Sequence, residues 1–297
     1  MSDAGWLWAV FTVVAAAAQT VRNAAQRELT AKLGTVGATH VRFLFGVPFA
    51  LVFLLLVLAA SGHALPSLPL RFWPWVLDGA LAQIGATALM LAAMNDRSFV
   101  VIYAYIKAEP IYVALFGLAF LGDIVTSTMA AAILIATTGV VIMAFKPGTA
   151  VDLHGTLLGL AAGAMFGLSA IGYRGAILSL APTDFIMAAT FTLVVGLLLQ
   201  SALLSFYLRV RAPGVLTRIL RAWRPSLLAG FMGALASQFW FLAFALASAA
   251  SVRTLALIEV LFAQAISRFI FGQPTRAREA FGILLIVTGV VLLLWPL

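Results

Sequence analysis

Apolar runs of about twenty residues recur along this chain, and that length decides what it can fold into. They are separated by short polar clusters such as Asn95-Asp96-Arg97 and Lys146-Pro147-Gly148. A bilayer core about 30 Å thick takes about 20 helical residues to cross. Charged residues make up 9% of the 297, against about 25% in ordinary soluble proteins, so the runs suit lipid better than a water-soluble core. They do not alternate with period two, which argues for helices rather than a membrane barrel. The expectation is an all-α, multi-pass integral membrane protein of the cell (inner) membrane.

Hydropathy and breakers place ten transmembrane helices, roughly at 6–26, 35–60, 73–94, 99–122, 126–145, 155–178, 183–207, 226–247, 251–271 and 277–295. A turn at Lys32 and Gly34 divides the first two, and Pro66 and Pro69 interrupt the chain before the third. Residues 209–224 hold five arginines, with Leu216, Ile219, Leu220 and Trp223 on one helical face. That pattern reads as an amphipathic helix in the headgroup region, or as a charged loop begun by Pro213-Gly214. Gly155, Gly159, Gly163 and Gly167 share one face of the sixth helix, where another backbone can approach closely.

A shift of 150 residues lays the chain on itself without a gap. It matches Gly5 with Gly155, Trp73 with Trp223, Ala93 with Ala243, Glu109 with Glu259, and Gly139 with Gly289. Two five-helix repeats, 1–147 and 148–297, follow. Five crossings are an odd number, so the second copy is inverted relative to the first, as in many secondary transporters. One chain supplies both halves; a monomer suffices, and a dimer is left open.

Ionised groups inside apolar helices are costly and mark pathways or locked pairs. Glu109 shares a helical face with Tyr105 and Tyr112, while Lys107 falls nearly opposite. On that geometry the two do not face one cavity together, and the candidate partners of Glu109 are Arg22 and Arg42. Pro110 bends the helix beside them. Gln83, Gln238 and Trp240 are candidate neutral contacts to a solute. Glu259 is the counterpart of Glu109, with Arg253 and Arg268 near enough to helix ends to reach the interface. Each acid is either a solute or proton site or half of a locking ion pair. Glu109, with its tyrosines and proline, is the one expected to carry coupling. Glu259, among Leu255, Val260 and Ala263, is expected to be more structural.

No phosphate loop or metal-ligand cluster occurs, and His40, His63 and His154 are scattered. No enzyme activity, metal, cofactor or nucleic-acid partner is expected. The net charge of +8 reflects basic residues bordering the apolar runs, which suits topology and anionic lipid. The basic residues crowd one side, with the five-arginine segment at its centre. The positive-inside rule puts that side in the cytoplasm and both termini outside. The expected partners are the lipid bilayer, a small polar solute, namely an amino acid or a related compound, and a proton. The rival readings are a non-transporting membrane scaffold and a lipid-binding module.

Over essentially its whole length the chain resembles the ten-helix EamA-type permeases of the drug/metabolite transporter superfamily. The resemblance rests on Glu109-Pro110 through Leu121-Gly122-Asp123, followed by Gly139-Val140-Val141. In the second half it rests on Gly272-Gln273, Gly282 and Gly289-Val290-Val291. Arg42 matches an arginine common early in the second helix of such proteins. Members usually carry Gly-Glu where this chain has Gly122-Asp123 and Gly272-Gln273. The resemblance implies two EamA domains and an exporter or exchanger of amino acids, other metabolites or drugs. It also implies cytoplasmic termini, opposite to the charge count, so orientation stays open between the two.

Overall fold

The computed structural model describes residues 3–62, 64–96, 105–144, 153–269 and 276–295. Among them every regular element is helical. After a 3-10 turn at Asp3–Trp6, the helices are α1 (Leu7–Leu44), α2 (Val47–Ser61), α3 (Phe72–Asp96), α4 (Glu109–Phe116), α5 (Ser127–Ala144), α6 (Leu153–Ser179), α7 (Phe185–Arg211), α8 (Pro213–Arg221), α9 (Trp223–Leu246), α10 (Ala249–Leu255), α11 (Ile258–Phe269) and α12 (Ala277–Leu294). A π-helical turn, Gly117–Leu121, extends α4 and ends at Gly122 in the left-handed region (φ 68°).

Among the described residues six stretches are long and apolar enough to cross a membrane: Glu28–Ser61, Phe72–Ala93, His154–Ser179, Phe185–Arg211, Trp223–Leu246 and Ala277–Leu294. Glu109–Leu121 and Ser127–Met143 are shorter apolar helices. The chain is an integral, multi-pass membrane protein.

The 38 residues of α1 would make a rod of roughly 57 Å, far longer than a bilayer core. Gly34 prevents that. Its φ of 72° and ψ of 172° lie outside the helical region, a conformation glycine adopts without steric cost. The chain doubles back there, and the Gln26 side-chain amide donates to the Ala38 carbonyl across the bend at 2.9 Å. The expected turn is thus a single residue, and the first helix continues to it rather than stopping near residue 26.

Two expected continuous spans are interrupted. The helical backbone at Tyr105 and Ile106 breaks into a turn at Lys107-Ala108 and restarts as α4 at Glu109. Pro110 lies in the first turn of α4, where its missing N–H costs nothing. It therefore starts a new helix instead of bending a continuous one. In the second half, α10 ends at Leu255 and α11 begins at Ile258. No proline lies there.

Packing follows the small residues. Along α6, Gly172 and Gly175 let the α3 backbone at Gly79 and the Trp75 ring come close, while Gly163 and Gly167 admit residues 105–113. Gly163 and Gly167, of the expected glycine face, thus meet one neighbour, while Gly172 and Gly175, outside that face, meet another. Against α5, Gly139 faces the Gly282 carbonyl and Ile286 of α12, and Gly289 faces Ala132 and Ala136. The first segment of α1 lies along α9, and α2 lies along α7. Without a hydrophobic drive between helices in lipid, such close backbone approach is what holds them together.

α8 is the amphipathic helix, and Pro213 sits in its first turn. Ile219 is fully buried, with Val215 and Ile219 against Gly37 of α1. Leu220 and Trp223 are exposed, so the expected four-residue apolar face divides between protein and surroundings. Arg209, Arg211, Arg218, Arg221 and Arg224 are all exposed.

Candidate functional site: a charged cavity at two interrupted helices

The two interruptions place one carboxylate each. Glu109 is the first residue of α4 and Glu259 the second of α11. Both sit in a first helical turn, where the unsatisfied N–H groups favour negative charge. Both are buried, at 6% and 2% exposure, so each needs a compensating cation.

The cations come crosswise. Lys107 Nζ donates to Glu259 Oε2 at 2.6 Å. Arg253 Nε lies 2.9 Å from Glu109 Oε1. The Arg253 N–H does not point along that line, so the contact is a charge pair rather than an aligned hydrogen bond. Each acid thus takes its cation from the other interrupted segment. The expected partners of Glu109, Arg22 and Arg42, are not the ones it uses. Arg253 is buried, and its guanidinium stacks over Trp240 at 4.5 Å and Phe244 at 5.4 Å. It does not reach for the interface.

Glu259 is the more heavily bound acid. Gln19 Nε2 donates to Oε2 at 3.2 Å and Asn23 Nδ2 to Oε1 at 3.4 Å. Trp240 Nε1 donates to Gln19 Oε1 at 3.2 Å, and Arg22 donates to Asn23 Oδ1 at 2.6 Å. A polar relay therefore runs from α1 to α11 and α9. Gln19 and Asn23 were visible as polar residues in an apolar helix, but nothing in the sequence tied them to an acid more than 230 positions away.

All of these polar groups except Glu259, which stands behind Lys107, Gln19 and Asn23, border a cavity of about 450 Å³ of empty space, counted with its open side. From α1 come Gln19, Arg22, Asn23 and Arg42; from α3, Gln83 and Met90. Ile106, Lys107 and Glu109 line it at the first interruption, Phe166 from α6, Trp240 from α9 and Arg253 from α10. Lys107 and Glu109 face the same space because the turn between them breaks the helical periodicity that set them on opposite sides.

Arg42, 3% exposed, donates to Thr87 Oγ1 at 3.2 Å and lies 4.8 Å from the Phe43 ring. Thr87 in turn donates to the Gln83 carbonyl at 2.8 Å, and Gln83 Oε1 accepts from Gln200 at 2.8 Å. Gln238 lies elsewhere: its amide donates to Thr190 of α7 at 2.8 Å, and it does not line the cavity. Tyr105 is half-buried and outside the lining, with its carbonyl toward Gly163. The interruption also separates Tyr105 from Glu109, so the shared helical face expected of them does not form. Gly272-Gln273 and Tyr103 fall outside the described residues. No group of three or more His, Asp or Glu residues with metal-binding geometry occurs among the described residues.

A second charged cluster stands apart from the cavity. Arg174 of α6 pairs with Asp123 at 3.4 Å and donates to the carbonyls of Phe244 and Ala247 at the end of α9. It ties the end of the α4 segment to α6 and α9.

No family model matches the sequence, and no curated protein matches it. A solved crystal structure of a protein whose description states no activity has the same fold. It superposes with a TM-score of 0.72 at 14% identity, over 96% of this chain and 95% of that one.

Proposed function

We propose that this protein is a secondary transporter, exporter or exchanger, of a small polar metabolite, with the charged cavity as its solute site. The observation that carries the reading is the crosswise pairing of Lys107 with Glu259 and of Arg253 with Glu109 at two helix interruptions beside one cavity. Discontinuous helices that meet near mid-membrane are a recurring way of building solute sites in such carriers. Five charged residues and an indole line this open space, and buried charges cost stability unless they serve something, which favours a carrier over a scaffold.

The ten-helix, inverted-repeat reading and the EamA-type assignment belong to this proposal. Three observations support them. Glu109 and Glu259, 150 apart, occupy the first turns of interrupted helices. Gly139 faces residues 282 and 286, while Gly289 faces 132 and 136, the same contacts moved by 150 and exchanged between halves. The pairing of α1 with α9 is likewise exchanged into that of α3 with α6. On this reading the first segment of α1, the α10–α11 segment and the two shorter apolar helices also cross the bilayer.

The test is flux. Purified protein in proteoliposomes, loaded and assayed with panels of carboxylates, amino acids, amines and neutral metabolites, should move some small polar solute in a protein-dependent, saturable way. A well-folded preparation that moves none of them sinks the reading in favour of a scaffold.

A further inference from the structure

The charges around the cavity are unevenly matched. Both buried carboxylates, Glu109 and Glu259, are already engaged by Arg253 and Lys107. Arg42 is buried to 3% exposure and lines the cavity, and its partners among the described residues are all neutral: the Thr87 hydroxyl, the Phe43 ring and the nearby Tyr173 phenol. A hydroxyl and a ring face replace little of what water gives a guanidinium. Arg22 lies beside it: a Cβ at Gly233 would touch Arg22 Cδ at 3.5 Å and Arg42 Cβ at 3.6 Å. Arg22 and Arg42 thus both line the cavity beside one small residue of α9. A ligand that carries negative charge supplies the counter-charge that Arg42 lacks among its neutral partners.

Resting on the transport reading above, we infer that the solute is a small organic oxyanion without a cationic group, anchored by Arg42. The planar guanidinium suits carboxylate and phosphate oxygens alike, through paired N–H donors. An amino acid fits less well. Its ammonium group needs an unengaged carboxylate, and here each carboxylate already holds a cation. The indole of Trp240, occupied on one side by the Arg253 guanidinium, offers the rest of the ligand an apolar wall. Thr87 engages one donor of the Arg42 head, and its hydroxyl adds no charge to compensate it.

The experiment uses the full-length protein in detergent and in proteoliposomes. Binding is read as thermal stabilisation and as quenching of tryptophan fluorescence, with Trp240→Phe marking the cavity signal. Transport is read as uptake of labelled solute into preloaded vesicles. The probes are succinate, for carboxylates; glycerol 3-phosphate, for phosphate esters; alanine and phenylalanine, as zwitterions; and putrescine, as a cation. We expect one of the two anions to bind and move, with neither amino acid nor putrescine competing. Whether succinate or glycerol 3-phosphate wins decides between carboxylate and phosphate. Arg42→Gln should weaken anion binding at least about tenfold, and Arg42→Lys should recover part of it. Thr87→Ala, a smaller change, keeps the test open if the arginine variants do not fold; it should weaken the same anion and leave the folded yield unchanged.

Transport of an amino acid or of putrescine with no effect of either anion overturns the inference and leaves the transport reading standing. Anion binding that survives Arg42→Gln in folded protein also overturns it, because the anchor is then elsewhere. Absence of flux for every probe in folded protein removes both.

Discussion

At the residue scale the account turns on four side chains, Lys107, Glu109, Arg253 and Glu259. Removing one member of a buried pair leaves the other charge uncompensated, a loss of about 3–5 kcal/mol. Lys107→Met should therefore lower stability by about that amount, and adding Glu259→Gln should restore most of it. A double-mutant cycle on the purified protein, read by thermal unfolding in detergent, measures the coupling. Additive losses would mean that the 2.6 Å contact contributes little. Glu109 is held by one ion pair, to Arg253, and by fewer hydrogen bonds than Glu259, so it is the acid expected to take up and release a proton. Glu109→Gln should leave the protein in the membrane and abolish accumulation driven by an imposed pH gradient, while exchange of solute for solute persists. Folded Glu109→Gln protein that still accumulates solute would separate this residue from coupling.

Glu109, Lys107 and Glu259 stood out in the sequence by their positions inside apolar runs. Their partners were not. Lys107 and Glu109 fall on opposite faces only if the helix is continuous, and Pro110 was the sign that it is not. At Ala256-Leu257 no proline marks the second interruption, and Arg253 therefore read as a residue reaching for the interface. Gln238 looked like Gln83 in sequence; only the packing of α9 on α7 through Thr190 separates them. Pairs formed across 144 or 152 positions belong to tertiary structure, which no local pattern encodes.

At the scale of elements, glycine decides which helices meet. A side chain at Gly139 would place its Cβ 2.6 Å from the Gly282 carbonyl and 3.0 Å from the Ile286 amide, backbone atoms that have nowhere to go. Gly139→Leu should force α5 and α12 apart and lower the thermal midpoint, by an overpacking cost of about 1–3 kcal/mol or more. Leu134 of the same helix is 57% exposed; Leu134→Phe should leave the midpoint nearly unchanged and serves as the control. Equal effects of the two would remove the helix contact from the argument. Outside the two interrupted spans, helix boundaries from α3 onward were close to what hydropathy gave, because apolar length and polar punctuation mark them directly. The turn at Gly34 lies where the sequence put it, but it is a single residue and the helix before it runs on from residue 26, with no polar loop between.

At the scale of the whole molecule, α8 and its flanks carry five exposed arginines on one rim. The positive-inside rule applies to segments this short. That rim should be cytoplasmic, with both termini on the opposite side. Reporters fused after Leu297 and read by compartment test this; a cytoplasmic signal sides with the EamA-type resemblance against the charge count. Orientation sets only which way the cavity faces. The larger claim is that the cavity opens to each side in turn. The chain contains no cysteine, so a single introduced thiol reports its own surroundings alone. Met90 lines the cavity and is 4% exposed. The most direct measurement is labelling of Met90→Cys in proteoliposomes by a membrane-impermeant maleimide, added from one side or the other, with and without transported solute. The account expects reaction from both sides, slowed by solute on each. A thiol that reacts from neither side, or from one side only under every condition, would contradict it and leave a sealed or one-sided charged cluster in place of a carrier.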